Sequence, residues 1–378
     1  MNGAVQAATA CRAEADAVPP DDSFAAQQGS LRAFLHLLYN RGLLERVQES
    51  THWRYEIGKR TRESRSPLLF ENIVDYPGQR VFTNGQRDLS LIALALGLDP
   101  AIPRADLNAE LRRRIAVPIP PAILSTSTLP RNTEEGDDVD LLRLPVPHWN
   151  ESDGTRYLGT WHINVTRDPE TRVRNVGVYR MQVLDRNHAT VSTSPGSHLR
   201  RHLALAEKAG SPLPMAVAIG VEEPVILAAA AGCPFGTDEF ELAGALLQNP
   251  LQLVRCERVD LEVPDDAEII IEGFIQPGLR VEDGPYFDYA GVTSTNPNAF
   301  LLEAKRIRCR KNPIFRGTSI GVPGAEDHQI LAVLADLQLL DFHGSDLKKS
   351  LQTHFLRQRL HQWIAGATPE IRNSPRAD

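Results

Sequence analysis

From about residue 145 to about residue 315 the chain is written in short runs of β-forming residues. "YLGTWHINVTRD", "RNVGVYRMQVLDRNHATVS", "MAVAIGV", "LQLVRCERVDLEVP", "AEIIIEGFI" and "FLLEAKRIRCRKNPIF" are rich in Val, Ile and aromatics, and several alternate apolar with polar residues. Turn chemistry such as "DPET" and "SPGS" separates them. A strand with one apolar face must share a core with other strands. Two helical segments interrupt the series: "HLRRHLALAEKAG" (198–210), ending at Gly210, and "TDEFELAGALLQN" (237–249), where Thr237 is a candidate N-cap. Many short strands with one or two helices predict a barrel-like β domain, assigned to residues 126–318.

The chain before it reads differently. "SLRAFLHLLYNRGLLERV" (30–47) places Leu31, Phe34, Leu35 and Leu38 at helical spacing, with Ser30 as N-cap and Gly42 as C-cap. "SPLLFENI" (66–73) reads as a buried strand, and "DLSLIALALGL" (88–98) as a helix ended by Gly97. Helix, strand, helix predicts a small α/β domain over residues 30–125. The Pro-rich stretch from about 115 to 145, with the acidic insert "NTEEGDDVD", reads as an exposed loop or linker. Residues 1–29, Ala-rich with acids and lacking the basic and apolar parts of a signal peptide, read as a disordered leader. Residues 319–378 end in a polar, His- and Arg-rich segment, read as a shortened C-terminal helical region.

The net charge of -7 over 378 residues argues against a nucleic-acid partner, which needs a basic face. No apolar run approaches the roughly 18 residues that span a bilayer. The cysteines Cys11, Cys233, Cys256 and Cys309 are widely spaced without a CxxC, which implies reduced thiols and a cytoplasmic protein rather than a zinc or disulfide framework.

Four segments carry candidate chemistry. "RNVGVYRMQV" holds Asn175 and Arg180, five apart and so on opposite faces of an unbroken strand; Gly177 between them permits a bulge or the close approach of a ligand. "SPGSH" puts His198 behind Ser197 at a helix start, where backbone N–H groups suit an anion and a neutral imidazole suits a metal. "GTDEFELAG" offers Asp238, Glu239 and Glu241 in a first helical turn. Asn, His and Glu together form an oxygen- and nitrogen-rich set for Mg²⁺ or Mn²⁺ bridging to a phosphate. "EDGPYFDY" supplies Glu282, Asp283 and Asp288 around a Gly-Pro turn. Of two carboxylates near an arginine, the paired one stays ionised and the less solvated one can hold a proton for transfer. Each segment also has an ordinary reading: a surface Arg, a helix-capping His, first-turn acids, a hydrated β-turn.

Taken together and in this order, "NVGVYRM", "SPGSH", "AIGV", "GTDEFELAGAL", "LVRCERVDLEVPDDAEIIIEG", "EDGPYFDYAG" and "RKNPIF" resemble the UbiD family of (de)carboxylases that use prenylated FMN. The resemblance runs from about residue 30 to about 335. It implies an α/β (α+β) protein with an N-terminal α/β domain, a central split β-barrel that binds flavin, and a truncated C-terminal α/β region. It implies that Asn175, His198 and Glu239 ligate a divalent metal, manganese or magnesium, which holds the cofactor phosphate, with potassium nearby. It implies that Arg180, Asp283 and Asp288 form the family's acid–arginine–acid network. Asp283 is then the Arg partner and Asp288 the proton donor. Val176, Gly177, Val178, Tyr179, Arg180, Ser197 and the backbone around Ala229 to Gly232, including Ala230 and Ala231, would line the cofactor.

The sequence departs from the family pattern in four ways: Asp283 stands where Glu is common, Phe287 where glycine is usual, Ser197 where many relatives carry Lys or Gln, and the chain after about 335 does not match. The activity implied is decarboxylation, possible in reverse, of an aromatic or α,β-unsaturated acid. A flavin prenyltransferase would supply the cofactor, and the protein would be a homo-oligomer. Two other readings stay open: a shortened, non-catalytic homologue that works with a full-length subunit, and an ordinary flavin oxidoreductase on a split barrel.

Overall fold

The computed structural model describes residues 29–337. The leader over residues 1–28 and the polar segment from 338 to 378 lie outside the described residues. The helix Leu31–Asn40 begins where its apolar spacing starts. The Ser30 side chain accepts from the Ala33 N–H, and Leu31, Phe34, Leu35 and Leu38 form the buried stripe. The chain then turns at Gly42, with φ of +67°, and runs into the strand Glu45–Val47. This strand joins Leu68–Phe70, Arg80–Thr83 and Ile314–Arg316 in a four-stranded sheet. The last strand arrives after the whole central region and pairs parallel with Arg80–Phe82. Leu69, Phe82 and Ile314 of this sheet pack with the helix stripe and with Leu91 and Leu94 of the helix Leu89–Ala95, whose N-cap is Asp88.

The central region is an open, curled antiparallel sheet, a split barrel. Its path runs His188–Val191, Thr293–Arg310, Ile269–Ile275, Leu213–Ile219, His162–Arg167, Arg174–Gly177. The strand Thr293–Arg310 is 18 residues long and also pairs with Val281–Phe287 and Arg131–Glu135. Ile269, Ile271, Met215, Val217 and Ile307 fill one face, and Ile270, Ala216, Ala218 and Ile163 the other, so the sheet separates two apolar clusters. The helices His198–Lys208, Glu223–Ala229, Glu239–Leu247 and Glu326–Asp336 complete this region.

Several local expectations need correction. The stretch from 115 to 145 is not a free loop: Arg131–Glu135 is a strand in register with Arg306–Arg310. Its acids are held by cations, Glu135 by Arg306 at 2.9 Å and Glu134 by Arg143 at 3.2 Å, which lets a charged sequence occupy a sheet. The helices Glu56–Glu63 and Arg104–Ile115 were not expected. The helix Glu239–Leu247 is capped by Asp238, not Thr237. The strand through Asn175 is interrupted after Gly177, and pairing resumes at Met181–Gln182.

One buried ion cluster ties the regions together. Arg316, 1% exposed, donates to Glu223 at 2.7 Å and to Glu326 at 2.6 Å. Glu326 also accepts the N–H groups of Asn84 and Gln86, so the first helix turn of Glu326–Asp336 is fastened to the N-terminal sheet. With each carboxylate oxygen accepting from Arg316, such a cluster specifies one relative placement of the parts it joins.

Candidate active site

Two adjoining cavities lie beside the barrel edge that carries Arg174–Gly177. The smaller, about 370 Å³, is lined by Asn175, Val176, Gly177, Val178, Tyr179, Ser197, His198, Ala229, Ala230, Ala231, Gly232 and Glu239, among others. The larger, about 600 Å³, is lined by Gly177 through Arg180, Trp161, Ile226, Ala229, Ala230, Tyr286, Asp288, Ile320, Asp327 and Leu331. Gly177 to Tyr179, Ala229, Ala230 and Leu331 belong to both walls, so the two form one cleft. Each volume falls within the few hundred to a thousand Å³ typical of small-ligand sites.

At the smaller end three elements converge. Asn175 comes from the strand, His198 from the first position of its helix, and Glu239 from the first position of the other. His198 Nδ1 lies 3.5 Å from Glu239 Oε1, while Glu239 Oε2 accepts the Val176 N–H at 2.7 Å. Burial pushes the Glu239 carboxyl above its ordinary value, against the pull of His198. Asn175 is held by weak contacts at 3.4 Å to Thr166 Oγ1 and the Tyr179 hydroxyl. A second layer positions the trio: Arg174 bridges Asp238 and Glu262, and His202, one turn after His198, meets Thr166 at 3.0 Å. Ser197 caps its helix by accepting the Arg200 N–H.

A carboxylate, an amide and an imidazole facing one cavity suit a hard or borderline divalent cation, and the helix starts beside them suit a phosphate. Gly177 carries the middle of the cleft: a Cβ there would meet the Tyr179 ring at 2.6 Å. The donor set and the cleft therefore fit a metal-anchored flavin phosphate. Among the described residues no group of three or more His, Cys, Asp or Glu gathers in metal-binding geometry, so the set depends on Asn175.

At the larger end Arg180 is paired. Its Nη2 lies 2.5 Å from Asp283 Oδ1, and its guanidinium sits 4.8 Å over the Tyr286 ring. Asp283 is fully buried, and its other oxygen accepts from Thr190. Burial pushes the Asp283 carboxyl up, while Arg180 and Thr190 oppose the shift. Asp288 is half-buried on the cleft wall, its oxygens facing the Ala290 N–H and Ser294. The burial order is thus the reverse of the sequence expectation: the arginine's partner is the less solvated acid. Glu282 is exposed.

The structure therefore brings Asn175, His198 and Glu239 to one end of a cleft and Arg180 with Asp283 to the other, with Asp288 on the wall. Sequence reasoning missed Thr190, Tyr286, Asp153 and Asp327. Asp153 accepts the Phe287 N–H at 2.8 Å, which steadies the turn before Asp288, and burial pushes its carboxyl up to about 6. Only for Asp327 was there a signal, an acid at a helix start behind the Gly-rich "GVPGAED".

Residues 123–323 match the 3-octaprenyl-4-hydroxybenzoate carboxy-lyase Rift-related domain (UbiD), and residues 35–111 match the N-terminal domain of the same proteins. The chain belongs to the UbiD family. It is 32% identical over 311 residues to a phenolic acid decarboxylase of Streptomyces, and 33% identical over 325 residues to the pyrrole-2-carboxylic acid decarboxylase of Pseudomonas aeruginosa. These alignments cover 78% and 82% of the chain and 65% of each relative, so the chain spans about two thirds, slightly less, of the length of these UbiD proteins. An evolved dimeric form of the UbiD-class enzyme HmfF from Pelotomaculum thermopropionicum, in complex with prFMN, superposes with a TM-score of 0.75 at 31% identity, over 82% of this chain and 71% of that one. The vanillic acid decarboxylase of Sedimentibacter hydroxybenzoicus, in closed form, gives 0.78 at 31%, over 82% and 68%. The α/β architecture with a split barrel is therefore the UbiD fold. Among the described residues no helix is long and apolar enough to cross a membrane.

Proposed function

We propose that the chain is a carboxy-lyase that removes CO₂ from an aromatic or α,β-unsaturated acid with prenylated FMN and a divalent metal, Mn²⁺ or Mg²⁺. The observation that carries this is the single cleft with an Asn–His–Glu trio at one end and an arginine–carboxylate pair at the other. The names of the relatives support the acid class, and the prFMN complex of the HmfF relative supports the cofactor. Potassium, a homo-oligomer and a flavin prenyltransferase as supplier follow from the family resemblance.

When bound, prenylated FMN supplies an electrophilic centre that takes up the electron pair left by CO₂, which an unsaturated acid cannot stabilise by itself. Asn175, His198 and Glu239 would hold the metal and, through it, the phosphate. Ala229, Ala230, Ile226 and Trp161 give the cleft an apolar stretch of wall. Arg180 lines the cavity while paired to a buried acid, so its guanidinium is fixed before the substrate arrives and orients the substrate carboxylate. Asp288 delivers a proton to the carbon that loses CO₂ and regains one from solvent, to which it is open. A placed acid contributes about 10²–10⁴-fold to rate.

The test is purification after co-expression with a flavin prenyltransferase, followed by absorbance, metal content and CO₂ release from a panel of unsaturated and aromatic acids. Coloured, metal-loaded protein that releases CO₂ is expected, with Asp288→Asn keeping the colour and losing turnover. Normal turnover by Asp288→Asn would remove Asp288 from the donor's role. A colourless, metal-free and silent wild type would overturn the enzyme reading in favour of a homologue that acts with a longer subunit.

A further inference from the structure

The larger cavity holds a second carboxyl group, besides Asp288, that the proposed reaction does not use. Asp327 follows Glu326 at the start of the helix Glu326–Asp336, after a turn in which Gly321 and Gly324 take positive φ. First-turn acids are common because they meet the helix dipole. Glu326 has both oxygens engaged, by Arg316 and by the N–H groups of Asn84 and Gln86. Asp327 does not. It is 8% exposed and lines the cavity, yet its Oδ1 accepts no hydrogen bond. Its Oδ2 accepts the Gly321 N–H at 3.1 Å, and the N–H groups of His328 and of Asp327 itself also act on the carboxyl. The His328 ring lies 3.9 Å from Oδ2 but directs its Nε2 at the Tyr289 carbonyl, 2.7 Å away. The same cavity carries the apolar side chains Trp161, Ile226, Ile320, Ile330 and Leu331.

A buried acceptor left unpaired costs about 1–3 kcal/mol. Inside a substrate cavity, the group that can pair it is carried by the substrate. We propose that Asp327 is a specificity-determining residue whose Oδ1 accepts a hydrogen bond from a donor on the ring of the acid, a phenolic hydroxyl or a ring N–H. This rests on the decarboxylase reading of the same cleft. A ring without a donor would exclude solvent from Oδ1 and give nothing back, so it is rejected for the same reason that a ring with a donor is taken.

The test uses the full chain loaded with cofactor and measures binding as well as turnover. The ligands are benzoate, the hydroxybenzoate isomers, methoxybenzoates, and pyrrole-2-carboxylate. The wild type should bind the best hydroxybenzoate, or the pyrrole acid, about 10–100-fold tighter than benzoate; which of the two leads identifies the donor. Asp327→Asn keeps a carbonyl for the Gly321 N–H and turns an NH₂ toward the cavity. It should lose about tenfold or more on donor-bearing rings and hold or gain on methoxybenzoate. A purely structural Asp327 predicts a uniform change across the panel, which would overturn the proposal. So would benzoate binding the wild type as tightly as its hydroxylated analogues, a result that needs no variant to fold. Donor-selective binding without CO₂ release would leave Asp327 in place and overturn the reaction. CO₂ release with no donor preference would do the opposite.

Discussion

Replacing Arg180 by methionine tests the electrostatics at the heart of the site. Arg180 Nη2 stands 2.5 Å from an Asp283 carboxylate that is 0% exposed. An adjacent arginine typically lowers an aspartate pKa by about 1–3 units, and each unit is worth about 1.36 kcal/mol. In the wild type, burial already outweighs this pull and leaves Asp283 above its ordinary value of 3.8. Without the guanidinium the folded pKa rises further. A group that keeps its proton to higher pH when folded stabilises the native state at acid pH and withdraws that stability as pH rises through the folded pKa. Arg180→Met should therefore cost more at pH 8 than in acid, by about 1.4–4 kcal/mol. Urea unfolding at pH 5 and pH 8, wild type against variant, reads this difference. Other titrating groups such as Asp153 are common to both proteins and cancel. The double variant Arg180→Met/Asp283→Asn lacks the titrating carboxyl, so it should lose less stability between pH 5 and pH 8 than Arg180→Met does. Parallel losses for the single variant at both pH values would refute the reasoning, because they would mean that Asp283 does not depend on Arg180 for its charge.

Other outcomes follow from the same structure. His198→Ala should keep its circular dichroism but copurify with little metal or flavin, and full occupancy by absorbance and metal analysis would remove His198 from the anchor. Arg316→Leu strands Glu223 and Glu326 in the interior and should lose about 3–5 kcal/mol in chemical denaturation. Asp266 is buried and its carboxyl is pushed up to about 7, so its contribution to stability is present below about pH 4 and lost as pH rises through 7. Asp266→Asn should therefore show a shallower decline between pH 5 and pH 8 in thermal unfolding, and an unchanged slope would count against that assignment.

The parts of the fold that follow local rules were legible. Ser30 and Asp88 announce helix starts, the Leu31–Phe34–Leu35–Leu38 stripe announces a buried face, and alternation along the central runs announces strands. Arg131–Glu135 was not legible, because its acids look solvated until the arginines that hold them are known to lie across the sheet. At the site, residue types suggested an Asn, His and Glu set and the family resemblance picked Glu239 from its acidic turn; Gly177 signalled that the strand could break, but not that the break puts Asn175 and Arg180 in one cleft. The burial of Asp283 rather than Asp288 was hidden too, because the groups that pair with it, Thr190 and Arg180, come from elsewhere in the chain.

The strand Ile314–Arg316 completes the N-terminal sheet from the far side of the barrel, and its arginine fastens the helix that carries Asp327. The two family modules are therefore interlaced rather than strung end to end. A graft of residues 35–111 into a foreign scaffold would arrive with one hydrogen-bonding edge bare and two hydrophobic side chains, Val81 and Phe82, stripped of their neighbour. Exchange of parts among relatives should succeed only where the cut carries both ends of the chain's return, which makes the small sheet as much a determinant of the cleft's shape as the barrel itself.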